Sequence, residues 1–194
     1  MEKIPHKVLI IGGPTGSGES TITREIIKRY PNFQRLVTAT SRPIRSRESR
    51  GVNYHYFTKE EFLNQVKIGN IIEYTYVENR DVYYGTYKPD FELKLKTSNV
   101  IVNVDAVGVK YFKDNYAARA IFIKPSDIKM IEGRIKKRNP EISYNELEKR
   151  MQNAESEIFN EESLYDYVVV NDDGKLEEAI SSIENILNKE AYLS

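Results

Sequence analysis

The run Gly13-Pro-Thr-Gly16-Ser-Gly18-Glu19-Ser20 joins spaced glycines to a hydroxyl side chain. Glycines let the chain curl so that successive backbone N–H groups converge. A helix starting just after them adds partial positive charge, and the two together cradle phosphate oxygens. The run fits the P-loop pattern G-x-x-x-x-G-K-[ST] at every position except the lysine. Gly13, Pro14, Thr15, Gly16, Ser17, Gly18, Glu19, Ser20 and Thr21 are therefore candidate ligands of a phosphate-bearing nucleotide. The Ser20 hydroxyl is placed to ligate magnesium.

Glu19 occupies the lysine position. A lysine there reaches the β- and γ-phosphates, and a carboxylate turns that attraction into repulsion. Two unit charges at ~4 Å interact by about 4 kcal/mol at an effective dielectric near 20. Glu19 either turns to solvent or joins a magnesium ion.

A second anion site is legible in Thr38-Ala-Thr-Ser-Arg42-Pro-Ile-Arg45, at the end of a predicted strand. Pro43 stiffens the turn, and Arg42 and Arg45 can form a fork for one phosphate. Tyr54, Glu73 and Tyr83-Tyr84-Gly85-Thr86 follow. Arg134, Arg138 and Arg150 are spaced along a later charged stretch.

These residues need a frame. Val8 to Ile11 is apolar and β-branched and reads as a buried parallel strand. A helix from about Glu19 to Tyr30 follows the glycine turn and is stopped by Pro31. Further buried strands are expected over Val100 to Asp105, Ala120 to Ile123 and Tyr167 to Asn171. Helices are expected over Val107 to Asn115, Asp127 to Arg138 and Lys175 to Asn188. This alternation predicts an α/β fold, a mostly parallel sheet covered by helices. Two stretches interrupt it. Thr38 to Thr86 is rich in Tyr and Arg and reads as short strands around one helix, Lys59 to Val66. Glu132 to Glu161 is charged and helical, and between Glu146 and Glu162 it reads as a solvated face apart from its arginines.

Composition narrows the function further. The chain of 194 residues suits one α/β domain with small appendages. Acidic and basic residues number 29 each, so no bulk charge excess points to nucleic acid. Cysteine is absent, which excludes disulfides and cysteine-based zinc sites. His6 and His55 are isolated and read as structural. No segment approaches the roughly 18 apolar residues of a membrane span. Residues 1–7 are short and polar, unlike a signal peptide, which fits a cytoplasmic location.

In this order the motifs resemble guanylate kinase, a P-loop nucleoside monophosphate kinase that phosphorylates GMP with ATP. The resemblance runs over about residues 7–190. It rests on the P-loop, on Arg42-Pro-Ile-Arg45 with Glu48, Gly51 and Tyr54, and on Ile-Glu73. Tyr-Tyr84-Gly85-Thr86, Asn-Val-Asp105 with Gly108, Arg134 through Arg138 to Arg150-Met151, and Val-Asn171-Asp-Asp complete it. It implies a P-loop kinase fold: core over 1–37, 87–131 and 162–194, a GMP-binding insertion over 38–86 and a helical lid over 132–161. Arg42, Arg45, Tyr54 and Tyr84 would hold the GMP phosphate, and Glu73, Thr38 and Thr86 the guanine. Asp105 would contact GMP or support the metal. Arg134, Arg138 and Arg150 would close over the ATP phosphates and, with Arg42, serve catalysis. Asn171 would lie near the adenine. Magnesium and ATP are implied, without nucleic-acid or membrane partners, in a monomer or homodimer.

The chemistry of the base agrees. Guanine offers two adjacent N–H donors that one carboxylate can accept, and an O6 that a hydroxyl can reach. Adenine lacks the donor pair. Besides Glu19, the chain departs from the family at Asn103, where an aspartate is usual, and at Thr38 and Thr86, where serines are. The stretch between Glu73 and Tyr84 is slightly longer. The first two departures weaken phosphoryl transfer and metal binding. They leave a second reading open, a non-catalytic guanylate-kinase-like binding module, and a third, an enzyme inactivated at Glu19.

Overall fold

The computed structural model describes residues 6–46 and 48–193. Most of the polar lead-in, residues 1–5, lies outside them. The chain opens with β1 (Val8–Gly12), α1 (Glu19–Arg29), β2 (Phe33–Arg35), β3 (Ala39–Thr40) and β4 (His55–Tyr56). Then come α2 (Lys59–Lys67), β5 (Ile71–Val77), β6 (Val82–Tyr87), α3 (Lys88–Leu95), β7 (Asn99–Val102) and α4 (Ala106–Tyr116). It closes with β8 (Arg119–Lys124), α5 (Lys129–Arg138), α6 (Tyr144–Glu161), β9 (Tyr167–Val170) and α7 (Leu176–Lys189). Two compact units result. One joins Asn32–Ala118 to the lead-in through Val8, and the other joins Leu9–Pro31 to the chain from Arg119 onward.

In the second unit β1, β8 and β9 pair in parallel, with Ile11 opposite Ile121 and Ile123 opposite Val169. Every residue of β1 is buried, as expected for a strand covered on both faces. On α7, Ala179, Ile180, Ile183 and Leu187 form an inward stripe at helical spacing. The α5–α6 pair has its own small core of Ile131, Ile135, Leu147 and Ala154, with Met151 and Ile158 packed against it.

In the first unit β2 pairs in parallel with β7. A separate four-stranded sheet runs β4-β3-β6-β5. Its β3–β6 and β5–β6 pairs are antiparallel, with a register shift between Ile71 and Tyr74. Phe62 of α2 is fully buried against this sheet and stacks on Tyr83 at 5.3 Å. A capping box starts α2: the Thr58 hydroxyl accepts from the Glu61 N–H and the Glu61 carboxylate from the Thr58 N–H. Phe91 of α3 meets Phe112 and Tyr116 of α4 edge-on.

The structure departs from the sequence expectations in three places. The strand expected over Val100 to Asp105 ends at Val102. Asp105 instead caps α4, its Oδ1 accepting from the N–H groups of Val107 and Gly108; an aspartate at a helix start favours the cap over strand extension. The strand expected over Tyr167 to Asn171 is half-covered rather than buried. It is the terminal strand, paired to β8 alone in this unit, and Val168 and Val170 face solvent. The strand expected to lead into Thr38 is the three-residue β2, and α3, which turns only Phe91 and Leu95 inward, has no counterpart among the expected elements. No described helix is long and apolar enough to cross a membrane.

The aromatic wedge between α3 and α4 tests this packing. Phe91→Ala removes a fully buried ring and should cost ~3–5 kcal/mol of stability, read as a lower urea midpoint.

Candidate nucleotide sites

The glycine loop follows β1 directly, and its shape is forced by close neighbours. Gly13 has φ +146°, and a Cβ there would lie 2.1 Å from the Ile123 carbonyl oxygen. Gly18 has φ +98°, and a Cβ there would lie 2.3 Å from Asn171 Nδ2. Only glycine fits at either position. Gly18 also starts α1 without a side-chain cap, so the helix presents an uncapped, partly positive end to the loop.

Behind the loop lies a brace. Arg134 Nη1 donates to the carbonyl oxygens of Gly16, at 3.0 Å, and Ser17, at 3.2 Å. Its Nη2 donates to Asn171 O at 2.7 Å and its Nε to Asp173 at 2.8 Å. Asn171 is buried, and its Nδ2 donates to Ser17 O at 2.7 Å. Ser17 is fully buried, its N–H donates to Pro14 O, and its hydroxyl has no hydrogen-bond partner among the described residues.

In front of the loop is a cavity of about 470 Å³. Every loop residue from Gly13 to Thr21 except Ser17 lines it, together with Arg134, Ile135, Arg138 and Glu157. Of the residues assigned to ATP from the sequence, Ser17 and Asn171 therefore stand behind the loop. Arg150 stands apart, its Nε on Glu146 at 2.8 Å. Glu157 was not singled out by the sequence, and its stretch was expected to be solvated. It is half-buried, and burial first, then the neighbouring Glu161, raise its carboxyl to about 7, against the pull of the Thr15 backbone N–H. A signal for it exists in the sequence: Leu147, Met151, Ala154 and Ile158 recur at helical spacing, and Glu157 borders that inward stripe.

The second candidate site lies within the first unit. Glu73 of β5 is buried, and its Oε1 accepts from the Thr86 hydroxyl of β6 at 2.6 Å. Burial raises its carboxyl to about 7; Thr86 opposes this and Asp105 adds to it. Tyr54 and Tyr84 meet edge-on at 5.9 Å, and Thr38 is half-buried beside β3.

Arg42 does not stand open as one arm of a fork. Its Nη1 and Nη2 grip Glu48 at 2.8 and 2.9 Å, and Nη1 also donates to Pro43 O. The guanidinium lies 5.2 Å from the Tyr54 ring centre, and Glu48 first, then Tyr84, raise it above its ordinary value. Glu48 further accepts from the Arg45 N–H and the Tyr56 hydroxyl. The Arg45 side chain is exposed. Arg42, Tyr54 and Tyr84 are thus assembled, with Glu48, a motif residue given no role from the sequence, anchoring Arg42. A cavity of about 590 Å³ opens beside Arg42 toward Arg50, Tyr56 and Thr58, but Glu73 and Tyr84 do not line it. The Glu73 side carries the more specific chemistry.

A guanylate kinase family model matches residues 5–190. The guanylate kinase of Carboxydothermus hydrogenoformans is 35% identical over 189 residues, covering 95% of this chain and 90% of the relative. That of Porphyromonas gingivalis is 38% identical over 171 residues, covering 86% and 89%. The crystal structure of guanylate kinase from Anaplasma phagocytophilum superposes with a TM-score of 0.73 at 27% identity, covering 99% of this chain and 89% of that one.

The Glu48 cluster makes a testable claim about acid stability. The Arg42 hydrogen bonds, then the Arg45 N–H, hold the Glu48 carboxyl at about 2, below its ordinary 4.5. A depressed carboxyl contributes stability that is full above its unfolded value and lost as pH falls through its folded one. Glu48→Gln should flatten the fall in urea midpoint between pH 4.5 and pH 2. An unchanged acid limb would mean the pairing does not hold in solution.

Proposed function

Because the chain belongs to the guanylate kinase family, we propose that it transfers the γ-phosphoryl group of ATP to GMP, slowed by Glu19 at the P-loop lysine position. The observation that carries this reading is the buried Glu73 carboxylate, held by Thr86 on the sheet that also bears Tyr84. The carboxylate accepts from guanine N1–H and N2–H. Since the Thr86 hydroxyl already donates to Glu73, Thr38 is left to donate to O6. Arg42, Arg45, Tyr54 and Tyr84 bind the GMP phosphate, with Glu48 holding Arg42 in place.

The loop and the start of α1 receive the ATP phosphates. Arg138, on the cavity wall, neutralises developing charge, while Arg134 on the same wall and Asn171 behind it brace the loop carbonyls. Arg150 joins only by leaving Glu146. The donor set suits magnesium: the Ser20 hydroxyl and the Glu19 carboxylate are hard oxygen groups on one wall. When bound, that ion supplies charge neutralisation at the transferred group. A GMP phosphate oxygen attacks the γ-phosphorus in line as the β–γ bridging oxygen departs with ADP. The attacking oxygen is already anionic, so positioning and electrostatics supply the catalysis. A second reading, a module that binds nucleotide or a phosphorylated partner without turnover, is favoured by Glu19 and Asn103.

The base pocket titrates. Only ionised Glu73 is an acceptor for both guanine donors, so GMP binding should strengthen by about tenfold from pH 6 to pH 8. AMP carries the same phosphate and should bind ~10⁴ weaker, without the Glu73 component of the rise. Glu73→Gln should remove that component. Equal affinity for GMP and AMP in calorimetry would refute the pocket assignment.

The Glu19 claim is tested by Glu19→Lys in a coupled ADP-release assay with GMP, ATP and magnesium. A barrier change of about 4 kcal/mol corresponds to ~10³ in rate. Turnover should rise by that order, with GMP affinity unchanged. High turnover by the unaltered chain would refute the impairment, and no gain with lysine would favour the binding module.

A further inference from the structure

Glu157 has no assigned part in the transfer reaction, yet its position is unusual. It lines the phosphate cavity with the loop residues, and the Thr15 backbone N–H pulls its carboxyl down against the effect of burial. That N–H belongs to the loop whose backbone donors are the natural ligands of a phosphate. Carboxylate and phosphate oxygens are chemically alike as acceptors, so the two compete for one donor. The helix that carries Glu157 is pinned against α5 by Leu147, Ala154 and Ile158, which keeps the carboxylate at the cavity wall.

We propose that Glu157 is a built-in competitor for the phosphate cradle, occupying part of it until an incoming triphosphate displaces or neutralises it. This rests on reading the loop as a triphosphate site. The charged groups around Glu157 set the balance. Glu161 lies one turn on along α6, Glu19 comes from the start of α1, and Arg134 and Arg138 face the same cavity from α5. Arg134 spends its hydrogen bonds on loop carbonyls, Asn171 and Asp173, so its charge is partly answered already. An ionised Glu157 adds repulsion toward a triphosphate to that already exerted by Glu19. Protonation removes the repulsion, and the carboxyl's raised value of about 7 puts this change near neutrality.

The sign follows from the competition. The carboxylate is charged above about 7 and excludes triphosphate; below that it is neutral and yields. The experiment is calorimetric titration of the whole chain with magnesium–ATP, and separately with inorganic triphosphate, at pH 6 and pH 8. Glu157→Gln should bind both ligands about tenfold more tightly than the unaltered chain at pH 8, and within about twofold of it at pH 6. Glu161→Gln lowers the pH at which Glu157 ionises. It should therefore move the midpoint of the pH dependence downward, which a merely structural role for α6 would not do. GMP titration reports that each variant is folded. Equal or weaker triphosphate binding by Glu157→Gln at pH 8, with GMP binding intact, overturns the proposal alone. Absence of triphosphate binding by both proteins at both pH values overturns the nucleotide reading of the loop, and the proposal with it.

Discussion

The nucleotide loop depends on one interaction, the grip of Arg134 and Asn171 on its carbonyl oxygens. A trans peptide sets its C=O and the next N–H in opposite directions. Fixing the Ser17 carbonyl against the brace therefore turns the Gly18 N–H the other way. The glycines make this backbone attainable, and the brace makes it persistent. Each nitrogen of the Arg134 guanidinium donates to a carbonyl or carboxylate oxygen. Arg134, a phosphate ligand by resemblance, holds the loop carbonyls here and also lines the loop's cavity.

Four carboxylates of this molecule form two electrostatic pairs. Glu48 and Asp90 are each held at about 2. Glu48 is held by Arg42; Asp90 is raised by burial but lowered more by His55, Lys94 and the Val37 N–H. Glu73 and Glu157 are each raised to about 7, because burial outweighs the donors they have. The first pair anchors cations and backbone. The second keeps a carboxyl near its titration point in a binding region, the pattern expected where a ligand completes the environment. In the functions proposed above, guanine supplies the donors that Glu73 lacks, and phosphate is the acceptor that competes with Glu157.

Glu19 lines the loop's cavity, and in the proposed reaction its charge opposes the incoming phosphates. The backbone donors and helix end remain, so the loop keeps the part of phosphate recognition that side chains do not supply. In the proposed transfer, what changes is the charge available when negative charge spreads over the transferred oxygens.

By itself the sequence determined the α/β class, the loop and the order of the nucleotide motifs. These are written in short local runs: an apolar β-branched strand, spaced glycines, an Arg-Pro-x-Arg turn. It missed α3, whose two inward residues display no period. Only tertiary structure decided what the arginines and glutamates do. Arg134 and Gly16 are 118 residues apart, and no local pattern links a guanidinium to a carbonyl at that distance. Glu48 is close to Arg42 in the chain, yet its role needs Tyr56 and the Arg45 N–H around it as well. Glu157 looks like one more charge on a charged helix until α6 packs on α5 and turns it toward the loop. The charge state of a carboxylate follows from burial and partners, and both exist only once the chain has folded.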